Sequence, residues 1–277
     1  MQGFAESMTF DRTILVVGVG AIGGPLVLAL TADCTATIRF CDDDVVEHAN
    51  LHRQVQFASP DIGKDKVLLL SCRLQRKGIP ANAFDARRLR FDSGSADSLL
   101  DGVDVVIDGS DNFATKFAVN DAAVGRGIPA LIASAVGNRG QLFIAQPGRA
   151  CYRCLFEDVP TNEPGNCTQV GVLGPLPAIM AGHAAVAAQQ LLAGYEHLLK
   201  PLTIVDRTTG WNGKRTVDFK PRVSCPSCSR APHFVAARSP TKDNSTTNNQ
   251  SNFSGRPDQQ NTKEHNHGNG KNSDPTA

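Results

Sequence analysis

The sequence has few aromatic residues, almost no net charge and no apolar segment of membrane-spanning length. Aromatic side chains make up 6% of the 277 residues, and tryptophan occurs once. The formal net charge of +1 excludes the strongly basic surface on which general nucleic-acid binding depends. The apolar stretch from Ile14 to Leu30 is interrupted by glycines and a proline, and it is shorter than the roughly 20 residues that cross a bilayer. We therefore expect neither nucleic acid nor a membrane as a partner.

The N-terminus lacks the basic start and apolar core of a secretion signal, so we expect a cytoplasmic protein whose eight cysteines are reduced. The composition changes sharply toward the C-terminus. From Ser239 onward only Phe253 and Ala277 are apolar, and eight asparagines dominate. Such a segment buries too little apolar surface to offset the loss of chain entropy. We predict a folded domain over residues 1–237 and a disordered polar tail over residues 238–277.

Runs of β-branched apolar residues alternate with helical patterns through the predicted domain. The runs predict strands at residues 13–17, 36–41, 82–87, 103–108, 129–134, 141–145, 202–205 and 215–219. The helical patterns cover residues 25–31, 61–77, 112–126 and 175–192. We expect an α/β fold with a doubly wound, mostly parallel, Rossmann-like sheet and a C-terminal antiparallel extension.

A glycine-rich loop follows the first predicted strand and opens the first helix. Gly18, Gly20 and Gly23 permit a tight turn, and the free N–H groups of the helix N-terminus attract phosphate. Asp42 lies 19 residues after Gly23, at the end of the second predicted strand, where a carboxylate would meet a ribose hydroxyl. This pattern predicts a nucleotide site. The alternative is a glycine turn that serves packing alone.

Basic and amide side chains come soon after this carboxylate. Arg53 and Lys66 would neutralise charge on a triphosphate and on the departing pyrophosphate, with Asn50 and Gln54 donating hydrogen bonds. A dinucleotide needs less positive charge, so these residues favour ATP chemistry over an NAD-dependent oxidoreductase. The alternative places Arg53 and Lys66 on the surface as solvated charges.

Two aspartates, Asp108 and Asp111, lie three residues apart at the end of the fourth predicted strand. Asp111 would hold Mg²⁺ against phosphates, because hard cations prefer carboxylate oxygen. Alternatively, Asp111 or Ser110 caps the helix that follows, and Asp108 only lines the strand end.

Four cysteines form two C-x-x-C pairs, Cys151 with Cys154 and Cys225 with Cys228. This spacing lets both thiolates of a pair reach one ion in tetrahedral geometry, which predicts a closed, structural Zn²⁺ site. Redox pairs and disulfides are the alternatives. Cys167 lies in a polar loop before the last long helix and is either a nucleophile or an idle loop cysteine.

Taken in this order, the motifs resemble the ThiF/MoeB/HesA family, the bacterial relatives of ubiquitin-activating enzymes. The resemblance covers roughly residues 12–230. It rests on Gly18, Gly20, Gly23, Asp42, Asp44, Asn50, Arg53, Gln54, Lys66, Asp108, Asp111, Asn112, Cys151, Cys154, Cys167, Cys225 and Cys228.

The resemblance implies an ATP-dependent adenylyltransferase that acts on the C-terminal Gly-Gly carboxylate of a small ubiquitin-like sulfur carrier and releases pyrophosphate. By position, Asp42 would hold the ribose, Arg53 and Lys66 the phosphates, and Asp111 the Mg²⁺. Cys167 matches a loop cysteine that in some members joins the activated carrier covalently, and members are typically homodimers. The N-terminal Arg-Gln segment of many members is not visible here. A weakly catalytic scaffold that binds a ubiquitin-like partner therefore stays open, as does activation of a peptide or a small carboxylate.

Overall fold

The computed structural model describes residues 11–33, 36–158, 171–209 and 213–231. Within these ranges eight strands form one sheet, in the order β3-β2-β1-β4-β5-β6-β7-β8. The strands are β1 (Thr13–Val17), β2 (Thr37–Cys41), β3 (Phe84–Arg87), β4 (Val105–Asp108), β5 (Ala130–Val136), β6 (Arg139–Ala145), β7 (Leu202–Asp206) and β8 (Lys214–Val217). Each one overlaps a strand predicted from the sequence.

The sheet changes direction at β5. Strands β3, β2, β1, β4 and β5 pair in parallel. Strands β6, β7 and β8 then continue the sheet with antiparallel pairing. The prediction of a mostly parallel α/β sheet with an antiparallel C-terminal extension is confirmed. Because β1 has β2 on one side and β4 on the other, the strand order reverses there, and open α/β sheets bind ligands at such a point.

Six α-helices of the described ranges pack on both faces of the sheet. They are α1 (Gly23–Asp33), α2 (Lys66–Arg76), α3 (Ala96–Leu100), α4 (Phe113–Arg126), α5 (Tyr152–Leu155) and α6 (Leu176–Leu192). Helices α1, α2 and α6 share one apolar cluster with Ile14 and Val16 of β1. Helices α3, α4 and α5 share the other with Leu15 and Val17. Since β1 is buried on both faces, its sequence is continuously apolar and does not alternate.

The helix boundaries differ from the prediction in one place that matters for the site. Helix α2 begins at Lys66, whereas the sequence pattern placed its start at Asp61, so that boundary was wrong. The side chain of Asp65 accepts the N–H of Leu68 at 2.9 Å and caps the helix, while Ser59–Asp61 forms a separate 3-10 turn. Helices α3 and α5 were not predicted.

None of the helices in the described ranges has the length and apolarity needed to cross a membrane. The predicted tail, residues 238–277, lies outside the described residues.

Candidate functional site

A cavity of about 630 Å³ lies at the carboxyl ends of β1, β2 and β4, where the strand order reverses. Its volume is typical of a small-molecule site. The predicted residues that line it are Gly18, Gly20, Asp42, Asp44, Arg53, Gln54, Lys66, Asp111 and Asn112. A smaller space of about 240 Å³ shares Arg53 and Lys66 with this cavity and is also lined by Asn50. Gly23 and Asp108 line neither space.

The loop between β1 and α1 has the close packing that its glycines predict. Gly18 has a φ of +80°, a conformation that favours glycine. A Cβ atom at Gly23 would overlap the carbonyl oxygen of Gly18, so this position also requires glycine. Gly20 lines the cavity, and helix α1 begins directly behind the loop. The loop therefore serves packing and also presents a helix N-terminus to the cavity.

Asp42 holds the loop from the end of β2. One carboxylate oxygen accepts the N–H of Val19 at 2.8 Å, and the other accepts the N–H of Asp44 at 2.9 Å. Burial raises the pKa of the Asp42 carboxyl, and the nearby charge of Lys66 only partly offsets this effect. The carboxylate lines the cavity at the place where the sequence predicted a ribose partner.

Lys66 and Arg53 are buried, which excludes the alternative that both are solvated surface charges. The Lys66 side chain is 5% exposed, and its Nζ lies 2.8 Å from the carboxylate of Asp44, which is itself largely exposed. Arg53 follows the 3-10 turn His48–Asn50 and donates hydrogen bonds to Asn50 Oδ1 and to the carbonyl oxygen of Ala49. Contacts within the protein thus hold both cations at the cavity.

Gln54 lies beside Arg53 and is also buried. Its Oε1 atom has no hydrogen-bond partner in the described part of the chain. A buried polar atom without a partner is costly, so a ligand or a water that donates to it would be stabilised.

Asp111 lies in the loop between β4 and α4 with its side chain exposed at the cavity. The side chain that caps α4 belongs to Asn112, whose Oδ1 accepts the N–H of Thr115 at 2.8 Å. The alternative role of Asp111 as a helix cap is therefore excluded, and its carboxylate is left for a ligand or a cation.

Asp108 is fully buried beneath this loop and pairs with a lysine that the sequence reasoning did not single out. Lys116 Nζ lies 2.7 Å from Asp108 Oδ2, and it also donates to the carbonyl oxygens of Ser110 and Ala133. The other carboxylate oxygen of Asp108 accepts the Ser110 hydroxyl at 2.6 Å. Asp108 therefore holds the loop between β4 and α4 in place from its buried side. The only sequence signal for this pair was a lysine eight residues after the strand-end aspartate.

Four aromatic side chains, Phe91, Phe113, Tyr152 and Phe156, line the cavity and were also not predicted. The ring centroids of Tyr152 and Phe156 are 5.0 Å apart, and the Tyr152 backbone N–H donates to the buried Asn120 Oδ1 at 2.7 Å. Burial, together with the charge of Asp108, raises the pKa of the Tyr152 hydroxyl, which is protonated at neutral pH. The cavity thus combines charged groups with an apolar wall.

The four paired cysteines come together in one cluster. The Sγ atoms of Cys151 and Cys225 are 3.5 Å apart, as are those of Cys154 and Cys228, and all four lie within 4.8 Å of one another. The two sulfur atoms of a disulfide are about 2.05 Å apart, so neither Cys151 and Cys225 nor Cys154 and Cys228 form a disulfide. Sulfurs that bind one tetrahedral zinc at 2.3 Å lie about 3.8 Å apart, and the cluster fits that arrangement.

Backbone N–H groups support the cysteine cluster. The N–H of Arg222 donates to Cys154 Sγ at 3.4 Å. Burial alone would raise the pKa of the Cys225 thiol, but N–H groups of Cys228 and Ser227 help to lower it to about 7. Donors of this kind favour the thiolate form that binds metals, whereas burial raises the pKa of the Cys151 and Cys228 thiols. Cys167, the proposed nucleophile, lies outside the described residues.

Comparison with known proteins gives a consistent picture. The family model described as the ThiF family matches residues 8–227. The chain is 34% identical over 227 residues to the sulfur carrier protein ThiS adenylyltransferase of Escherichia coli, covering 80% of this chain and 88% of that protein. It is 35% identical over 230 residues to the sulfur carrier protein adenylyltransferase of Thermus thermophilus, covering 79% of this chain and 83% of that protein.

Among solved structures, E. coli MccB has a similar fold. The TM-score is 0.65 at 19% sequence identity, and the match covers 78% of this chain and 65% of that one. The prediction of a ThiF-type adenylyltransferase is confirmed by the family model and by the named relatives together. With a match over most of its length and the glycine loop, buried cations and cysteine cluster in the expected order, this chain belongs to the ThiF family.

Proposed function

We propose that this protein uses ATP and Mg²⁺ to adenylate the C-terminal Gly-Gly carboxylate of a small ubiquitin-like sulfur carrier. The observation that carries the proposal is one cavity that joins a glycine loop to two buried cations, Arg53 and Lys66, and to the exposed carboxylate of Asp111. The substrate class follows from the relatives at 34% and 35% identity, which are named as sulfur carrier adenylyltransferases.

In this proposal the nucleotide lies across the carboxyl ends of the strands. Asp42 accepts a ribose hydroxyl while it keeps the N–H of Val19. The N-terminus of α1 and the loop N–H groups bind phosphate oxygens. Asp111 would bind the Mg²⁺, which supplies charge neutralisation on the phosphate oxygens when it is bound. Asn112 caps α4 and keeps Asp111 at the cavity surface.

The reaction is a substitution at the α-phosphorus. A carboxylate oxygen of the carrier attacks the α-phosphorus, and the bond from that phosphorus to the bridging oxygen breaks. The electron pair leaves with pyrophosphate, so negative charge grows on the departing group. Arg53 and Lys66 neutralise this charge, and Asn50 and Gln54 support them with hydrogen bonds. Lys66 can share its ammonium between Asp44 and a phosphate, since Asp44 is exposed and has solvent as a second partner.

The cysteine cluster supports a structural Zn²⁺ site in this account. Cys151, Cys154, Cys225 and Cys228 would hold the ion with no open position, so it would fasten the C-terminal segment to the body and take no part in the chemistry. The proposal also includes a domain over residues 1–237 with a polar tail over 238–277, a homodimer, and a cytoplasmic location. In a later step the Cys167 thiolate would attack the acyl carbon of the carrier adenylate and form a thioester, and the bond from that carbon to the phosphate oxygen would break and release AMP.

The other functions fit less well. An NAD-dependent oxidoreductase gives no role to the buried Arg53 and Lys66. A non-catalytic scaffold gives no role to Arg53, a buried cation at the cavity that has no carboxylate partner in the described part of the chain.

ATP–pyrophosphate exchange tests the proposal. The full chain, Mg²⁺ and a panel of ubiquitin-like carriers that end in Gly-Gly would be assayed beside the same carriers without the last glycine. Asp111→Asn is the variant, and Asp101→Asn is its control, since Asp101 is an exposed aspartate that does not line the cavity. We expect exchange that needs the terminal glycine and falls at least about 100-fold in Asp111→Asn alone.

If the protein binds ATP tightly but no carrier in the panel supports exchange, the assignment of the substrate is refuted. Exchange that survives in Asp111→Asn at the rate of Asp101→Asn would remove Asp111 from the Mg²⁺ site and leave adenylation standing.

A further inference from the structure

A buried glutamine holds the glycine loop from a separate segment of the chain. Gln56 is 7% exposed, and its Nε2 atom donates to the carbonyl oxygens of Val19 and Gly20, both at 2.9 Å. Gln56 does not line the cavity. It lies two residues beyond Gln54, so it connects the loop after β1 with the segment that carries Arg53.

The two hydrogen bonds fix the direction of two N–H groups. In a planar trans peptide the C=O and the N–H point to opposite sides. The carbonyls of Val19 and Gly20 point to Gln56, so the N–H groups of Gly20 and Ala21, in the same two peptide units, point away from it. Both Gly20 and Ala21 line the cavity. In the described part of the chain neither N–H has an acceptor, which leaves both for a ligand.

The space for the Gln56 amide depends on a fourth glycine. A Cβ atom at Gly24 would overlap the Nε2 and Cδ atoms of Gln56. Within the described residues Gln56 Oε1 has no hydrogen-bond partner, so the amide is held through Nε2 alone. A replacement that lacks the NH₂ group would therefore release both loop carbonyls.

We propose that Gln56 is a positioning residue that aims the N–H groups of Gly20 and Ala21 at the phosphates of the bound nucleotide. The inference rests on the proposed function in one respect, that the cavity binds ATP. Gln56 should affect the binding of the phosphates and leave the binding of the nucleoside unchanged. The proposed ribose partner, Asp42, is held by the N–H of Val19 and not by Gln56.

The test compares ATP with adenosine by calorimetric binding to the full chain. Gln56→Met keeps the size of the side chain and removes the donor. We expect affinity for ATP to fall roughly tenfold, as for the loss of a hydrogen-bonded contact, and affinity for adenosine to change by less than about twofold. Gln146→Met is the matched control, since Gln146 is another buried glutamine that does not line the cavity. It should leave both affinities within about twofold of the wild type.

Gly24→Ala is a second variant that tests the same contact, because the added methyl group would displace the Gln56 amide. Alanine also has a higher helix propensity than glycine, and Gly24 lies in α1. This variant keeps the test decisive if Gln56→Met does not fold. Equal losses for ATP and adenosine would overturn the inference in favour of a general structural role, and unchanged ATP affinity in both variants would also overturn it. A wild-type protein that does not bind ATP would instead refute the proposed function, on which this inference depends.

Discussion

At the proposed zinc site, replacing Cys225 by serine is expected to lower the melting temperature of the protein by about 12 °C and to abolish zinc binding. Cys225 joins its partner Cys151 across a separation of 74 residues, with their sulfur atoms 3.5 Å apart. A metal shared by both residues closes a loop of that length. Serine is similar in size, but it does not supply a thiolate ligand.

The size of the effect follows from the length of this loop. A cross-link over 74 residues stabilises the folded state by about 4 kcal/mol, because it restricts the unfolded chain. For a domain of 150–250 residues, about 1 kcal/mol corresponds to 2–4 °C in the melting temperature. The sulfur ligands are buried or half-buried, so breaking the cluster also exposes the aromatic residues packed against it, including Tyr152 and Phe143.

Differential scanning calorimetry and metal analysis of the same preparations check this expectation. Cys72→Ser is the control, since Cys72 is an exposed cysteine outside the cluster. The control should retain about one equivalent of zinc and its melting temperature. A Cys225→Ser protein that melts within about 2 °C of the wild type would contradict the proposed zinc site, as would wild-type protein purified without zinc.

Two further outcomes follow from the buried charges. Lys116→Met should lower the free energy of unfolding by about 3–5 kcal/mol in urea titrations, because it leaves the Asp108 carboxylate buried without its partner. Adding Asp108→Asn to this variant should recover part of the lost stability. If Lys116→Met costs less than about 1 kcal/mol, the pair is dispensable for stability. Burial raises the pKa of Asp42, so this carboxylate, the proposed ribose partner, takes up a proton at a higher pH than an ordinary aspartate. ATP affinity should therefore be full above this raised pKa and fall as the pH drops through it, and parallel titrations of wild type and Asp42→Asn should diverge there; identical curves would count against Asp42 as the ribose partner.

Strands such as β1, β2 and β4 could be predicted from sequence because each is a short run rich in β-branched or aromatic residues that the fold largely buries. The start of α2 could not. The sequence offers an acidic residue at position 61 and another at position 65, and either is a chemically sound helix cap. The structure uses Asp61 within its own turn, where it accepts the N–H of Ala58 at 2.9 Å, and leaves Asp65 to begin the helix. Helices α3 and α5, with five and four residues, are too short to show a helical period.

Many of the residues that line the cavity could also be predicted, because the phosphate chemistry that the sequence suggests needs glycines, cations and carboxylates in a fixed chain order. Lys116, which lines the cavity, and Gln56, which does not, could not be predicted. Lys116 sits in a helix where lysines are usually solvated, and its burial arises only because the end of β4 and the carbonyl of Ala133 converge on it. Gln56 has no sequence signal, since its partners are backbone carbonyls 36 and 37 residues earlier.

The last strand at the antiparallel end of the sheet affects whether two copies of the protein can pair edge to edge. Strand β8 is an edge strand, and all four of its residues are exposed. An open edge of this kind offers unpaired backbone groups to any other strand. Two of the four residues, Lys214 and Arg215, are cationic, so two such edges that approached each other would bring four positive charges together. The charge of this edge therefore opposes sheet-to-sheet aggregation.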